Sequence, residues 1–216
     1  MLFGKIDYIN LLPFTLFIKR SSLPTRVKKA MDYKKSYPSK INKEFKARRV
    51  EAAFISSIES KRGNIKRHSI GIVAKKEVTS VLLCGDKNIP DPHSATSNQL
   101  AHTLGLKGEV VIGDRALQRY IKNPSECIDL AQKWHEKYNL PFVFARLCSN
   151  KNHKVYEKLS KSFRNSHEKI PQYILKRYAK DRNIDANEIL KYLRLLDYKI
   201  DTKEKISLKI FLGTTS

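Results

Sequence analysis

Asn10 is the first residue on which chemistry could be built, because the stretch Gly4-Lys-Ile-Asp-Tyr-Ile-Asn-Leu-Leu-Pro13 reads as a strand that stops on its amide just before a helix. Ile6, Tyr8 and Asn10 share one face by period-2 spacing, and Pro13 suits an early helical position ahead of Phe14, Leu16, Phe17 and Ile18. Such a junction presents unpaired backbone N–H groups to an anion. The construction recurs. Glu51–Ile55 reads as a strand ending on Ser56 and Ser57, Ser94-Ala-Thr-Ser-Asn98 opens the apolar run Leu100, Ala101 and Leu104, and Val110–Ile112 ends on Gly113 and Asp114 before a helical pattern from Arg115. Hydroxyls, amides and one carboxylate thus collect at the carboxyl ends of strands, where open α/β sheets bind ligands. Each of these side chains has a second reading as a simple helix cap.

Other chemistries find no support in the spacing. His135-Glu136 and His167-Glu168 lack the second His of a His-Glu-x-x-His site, and His68, His93, His102 and His153 are scattered, so no metal is expected. Cys84, Cys127 and Cys148 are odd in number and lack Cys-x-x-Cys spacing. They read as small buried hydrophobes of a protein in a reducing compartment. No Gly-rich phosphate loop is present, and no cofactor is expected.

The elements needed to position these residues are those of an α/β protein. Val78–Cys84 is a further strand, Asp129–Tyr138 an amphipathic helix stopped by Asn139 and Pro141, and Pro141–Ala145 a buried return strand. Tyr156–Lys180 and Ala186–Tyr198 read as helices, and Lys205–Leu212 as a last strand. At 216 residues and 41% hydrophobic the chain can bury a substantial core in one large or two modest domains. The opening Met-Leu-Phe-Gly-Lys lacks the pattern of a signal peptide, and no stretch reaches the roughly 20 apolar residues of a membrane span, so a soluble cytoplasmic protein is expected, with no membrane partner.

The formal net charge of +22 is the strongest competing signal. Lys28, Lys29, Lys34, Lys35, Lys40, Lys43, Lys46, Arg48 and Arg49 crowd one segment, and Lys151–Lys191 is again basic. A nucleic-acid binder would use such charge on phosphates. The basic residues are spread over several helices without a helix-turn-helix, zinc-finger or RNA-recognition signature, which favours solvated surface and no nucleic-acid partner.

Taken in order, Gly4-x-Ile6-x-Tyr8-x-Asn10-x-x-Pro13, Ser56-Ser-Ile-Glu59, Thr79-Ser80-Val81, Thr96-Ser97, Gly113-Asp114-x-Ala-Leu117 and Asp129-Leu-Ala-x-x-Trp134…Leu140-Pro-Phe-Val-Phe-Ala145 resemble the chorismate dehydratases of the futalosine route to menaquinone. The likeness spans residues 1–145. Beyond residue 150 it is only to a helical tail, and the chain is shorter than the family leads one to expect. The resemblance implies a two-lobed fold like that of type II periplasmic binding proteins, with the ligand cleft between the lobes. Residues 1–77 and 146–216 would form one lobe and 78–145 the other, with crossings near Val78–Leu83 and Phe142–Arg146. It also implies dehydration of the small molecule chorismate to 3-[(1-carboxyvinyl)oxy]benzoate without metal or redox cofactor. The enolpyruvyl carboxylate of the substrate would take the ring proton. Asn10 would be the catalytic residue, orienting rather than deprotonating, because an amide is too weak a base. Tyr8, Ser56, Ser57, Ser80, Thr96, Ser97, Gly113 and Asp114 would bind substrate. The family's fold-mate, dihydroxynaphthoate synthase, has a different opening motif. Two readings from other classes stand beside the enzyme: a small-anion binding protein on the same fold, and a basic nucleic-acid-binding protein. Oligomeric state is not legible.

Overall fold

A computed structural model describes residues 2–61 and 63–213; Met1, Arg62 and residues 214–216, assigned above to the first lobe, lie outside the described residues, as do the side chains of Asp32, Tyr33 and Lys34. Among the described residues, nine strands form two sheets. The larger has the order β2 (Lys34–Ser36), β1 (Phe3–Ile6), β3 (Ala52–Ser56), β8 (Phe142–Ser149), β4 (Lys66–Ala74), β9 (Leu196–Lys199). Strands β2, β1 and β3 run parallel, whereas β8 is antiparallel to both β3 and β4. The smaller sheet is antiparallel, with β5 (Val81–Cys84) between β6 (Glu109–Ile112) and β7 (Cys127–Asp129). Strand β8 belongs to the larger sheet along its whole length.

Ten α-helices among the described residues cover these sheets. The first three are α1 (Leu12–Arg20), α2 (Thr25–Tyr33) and α3 (Pro38–Lys46), followed by α4 (Ala95–Thr103), α5 (Gly113–Lys122) and α6 (Leu130–Tyr138). The tail supplies α7 (His153–Arg164), α8 (Gln172–Arg182), α9 (Ala186–Leu195) and α10 (Thr202–Gly213). An aromatic cluster fixes α1 and α7 to the larger sheet: the ring of Phe14 lies 5.0 Å from Phe54 and 5.1 Å from Phe163. Burying each such side chain contributes roughly 1.5–3 kcal/mol, so the turn that leads into α1 is held from behind. No helix among the described residues is long and apolar enough to cross a membrane.

Four sequence expectations are corrected. The first strand stops at Ile6, and Asn10 sits in a 3-10 helix, Ile9–Leu11, closed by the Leu11 N–H on the Tyr8 carbonyl at 3.1 Å. Lys205–Leu212 is part of helix α10, not a strand. Its short apolar run satisfies both periods, and packing decides: Ser207, Leu208 and Phe211 turn inward, with Trp134 Nε1 donating to Ser207 Oγ at 3.0 Å. The expected helices of the tail are shorter. Residues before Pro171 separate α7 from α8, and Tyr198 lies in the edge strand β9, paired with β4. Finally, Cys84 and Cys127 are not separate thiols but a disulfide, joined because they are direct cross-strand partners in β5 and β7, a pairing that lies 43 residues apart in sequence. Cys148 is a free buried thiol, and burial pushes its pKa up to about 12.

Candidate active site

Where the two sheets meet, a pocket is lined by Tyr8, Asn10, Ser56, Ser80, Ser94, Ser97 and Gly113 among apolar side chains that include Ile72, Val78, Ile112 and Phe144. That mixture suits a small organic ligand. The lining contains hydroxyls, an amide and backbone groups but no charged side chain. Helices α4 and α5 begin at this wall, and their unpaired N–H groups add positive potential without a cation.

Each polar group is held by a partner behind it. Asn42 brackets Ser56, donating from Nδ2 to Ser56 Oγ at 2.8 Å and accepting the Ser56 N–H at 3.2 Å. Ser94 caps α4 by accepting the Ser97 N–H at 3.2 Å and donates its own proton to Ser97 Oγ at 2.7 Å. Ser80 follows a strained step, since Thr79 has φ +54. That step is fixed by Asp129, whose Oδ2 accepts the N–H groups of Val78 at 2.8 Å and Thr79 at 2.6 Å while Oδ1 caps α6. Burial raises the Asp129 pKa more than these four N–H groups lower it.

Gly113 starts α5 at φ +69, and its N–H donates to the Ser80 carbonyl at 2.8 Å. A Cβ there would lie 2.9 Å from the Tyr8 ring, so glycine is needed both for the backbone and for the ring against it. Burial, with Asp91 and Asp114 nearby, pushes the Tyr8 phenol up to about 12, keeping it neutral.

Three of the residues named from the sequence hold the wall from outside the pocket lining. Ser57 is fully buried and donates to the Val143 carbonyl at 2.5 Å, Thr96 Oγ1 accepts the Ile58 N–H at 3.3 Å, and Asp114 accepts the Ile9 N–H at 3.1 Å and Arg182 Nε at 2.6 Å. Arg182 also donates to the Asp7 carbonyl at 2.9 Å.

The tail supplies residues that sequence reasoning missed. Tyr198 donates to the Asn10 carbonyl at 2.7 Å, and the Tyr192 hydroxyl lies 2.9 Å from Ser80 Oγ. Both phenols are raised by burial. Asn10 Oδ1 is buried without a hydrogen-bond partner. Among the described residues, no three His, Cys, Asp or Glu side chains come together as a metal site would require.

A family model described as menaquinone biosynthesis matches residues 89–216, so the family likeness extends through the tail. A chorismate dehydratase of Campylobacter jejuni subsp. jejuni is 50% identical over 214 residues, covering 98% of this chain and 96% of the relative; this chain's length is therefore shared, contrary to the expectation that it is short. Protein AF1704 of Archaeoglobus fulgidus superposes with a TM-score of 0.69 at 12% identity, over 99% of this chain and 95% of that one. Candida albicans CA3427, described as having the generic periplasmic binding protein fold, gives 0.53 at 12% identity over 98% and 89%. An alkanesulfonate-binding protein of Xanthomonas axonopodis pv. citri gives 0.54 at 9% over 99% and 91%. The last three likenesses show the fold alone, an α/β fold of the periplasmic-binding-protein kind, whereas the 50% identity to a chorismate dehydratase over 98% of the chain, with the family match over residues 89–216, shows that this chain belongs to the chorismate dehydratase family of menaquinone biosynthesis.

Proposed function

We propose that this protein dehydrates chorismate to 3-[(1-carboxyvinyl)oxy]benzoate as the first step of the futalosine route to menaquinone, in the cytoplasm. The observation that carries the reading is the 50% identity to a chorismate dehydratase over 98% of the chain. The ligand lies between two lobes, residues 1–77 with 146–216 and residues 78–145, the second crossing falling within β8 of the larger sheet.

The C3 proton and the C4 hydroxyl leave together as one molecule of water, and the ring becomes aromatic. Removal of the C3 proton pushes charge through the diene toward the ring carboxylate, so donors aimed at that carboxylate lower the barrier. Ser56, Ser97 and the N-terminal N–H groups of α4 and α5 are donors of this kind, and they remain neutral at working pH. No histidine lines the pocket. This fits proton removal by the substrate's own enolpyruvyl carboxylate, with Asn10 orienting the substrate and Tyr8 packing against it. Ser57, Thr96 and Asp114 act on the substrate indirectly, by holding the wall. The basic surface draws the dianion toward the protein and has no nucleic-acid partner.

Incubation of the purified protein with chorismate, followed by mass spectrometry, tests the reading. Loss of one water with appearance of the aromatic product is the expected result. Unchanged chorismate, with sub-micromolar binding of an oligonucleotide near physiological salt, would overturn it in favour of a nucleic-acid binder.

A further inference from the structure

Behind the pocket wall, the hydroxyl of Tyr192 lies 2.9 Å from Ser80 Oγ and is buried with no place in the pocket lining. Asn10 is its other polar neighbour and lowers the phenol's pKa against the upward push of burial. Ser80 Oγ is the phenol's hydrogen-bond partner, and Ser80 itself lines the pocket. A phenol has one proton. Directed at Ser80 Oγ, that proton leaves the Ser80 proton turned toward the pocket.

We infer that Tyr192 is a positioning residue that donates to Ser80 Oγ and so leaves Ser80 as a donor toward the substrate. The inference rests on the dehydratase reading and adds an assignment to it. Chorismate as a dianion carries two carboxylates and an ether, all acceptors, and only one donor, its C4 hydroxyl. Ser80 donates to the oxygen of that hydroxyl, the atom that gains charge as the C–O bond breaks. Tyr192 takes up and gives up no proton in this arrangement. It fixes which way the Ser80 hydroxyl points.

The test is Tyr192→Phe, which keeps the ring and removes the hydroxyl. Steady-state kinetics with chorismate are compared with the Kd of the product 3-[(1-carboxyvinyl)oxy]benzoate, which keeps both carboxylates and lacks the C4 hydroxyl. The expected result is a fall in kcat of about tenfold to a hundredfold, with product Kd changed by less than about threefold. The double variant Tyr192→Phe/Ser80→Ala should be no slower than Ser80→Ala alone by more than about threefold, because the phenol acts through Ser80. Wild-type kcat in Tyr192→Phe, a parallel loss of product affinity, or losses that multiply in the double variant would each overturn the assignment while leaving the dehydratase reading in place. A wild-type protein inert to chorismate overturns both.

Discussion

Asp114 and Arg182 stand 68 residues apart in the chain and meet at 2.6 Å behind the turn that carries Asn10. One carboxylate oxygen takes Arg182 Nε while the other takes the Ile9 N–H, and Arg182 in turn reaches the Asp7 carbonyl. The start of α5, the end of α8 and the 3-10 turn are thereby tied at one point. The two side chains are only 20% and 14% exposed, so removing one leaves the other desolvated without its partner. Asp114→Asn keeps an oxygen for the Ile9 N–H and should lower kcat/KM by about tenfold, equivalent to about 1.4 kcal/mol. Arg182→Met should cost more, about 2–3 kcal/mol of stability as well as activity, because it strands the carboxylate. If the pair acts as a unit, the double variant is no worse than Arg182→Met. Losses that simply add would show that the two residues work separately.

Asn10→Ala should abolish most turnover and leave the fold intact. The backbone carbonyl that Tyr198 grips remains, and the amide removed lines the pocket rather than filling the core. A loss of about a hundredfold or more in kcat/KM is expected, with a melting temperature within a few degrees of wild type. A folded variant with unchanged kcat/KM would remove Asn10 from the mechanism.

The strand-to-helix junctions were readable because their residue types are constrained locally. A glycine at φ +69 before a helix and a serine capping its first turn follow from backbone chemistry, and Ser56, Ser97, Gly113 and Asn10 stand at such points. What lay beyond reading was everything that reaches them from the tail. Tyr192 falls on a buried stripe of α9 and Arg182 in the last turn of α8, where one reads as core and the other as solvated surface. Only the edge pairing of β9 with β4 brings this part of the chain back beside residues 7–11. The same reason hid the Cys84–Cys127 bond, which depends on strand register, and the helicity of residues 205–212, whose apolar run fits two periods until Trp134 and Phe142 are placed against it.

His68 gives a pH signature in stability. Its ring is buried, bonded through Nε2 to Ser149 Oγ at 2.8 Å, and that oxygen also meets His153 Nδ1 at 2.8 Å. Burial lowers its pKa from 6.5 to about 4; Lys66, His153 and Arg146 act in the same direction, against Glu157. Between these values the unfolded chain binds a proton that the folded chain does not, so this contribution is complete above pH 6.5 and is lost as pH falls toward 4. The loss is on the order of 2–3 kcal/mol. Melting curves of wild type and His68→Gln over this range isolate it from the carboxylates common to both. The variant should show the flatter dependence, and parallel curves would mean that the His68 pKa is ordinary.

The Cys84–Cys127 bond should matter for stability and not for turnover. It closes a loop across 43 residues between β5 and β7, and cross-links of this span stabilise by about 2–4 kcal/mol, chiefly by restricting the unfolded chain. The active-site end of β5 has its own anchor, because Asp129 holds the N–H groups of Val78 and Thr79 just before Ser80. Treatment with dithiothreitol, or the variant Cys84→Ala/Cys127→Ala, should therefore lower the melting temperature and leave kcat for chorismate within about twofold of the oxidised protein. Thiol titration of the unreduced, denatured protein checks the premise: one free thiol is expected, that of Cys148. Three free thiols would show that the bond does not form, and a large fall in kcat on reduction would show that the strand pairing at Cys84 reaches Ser80 despite the carboxylate between them.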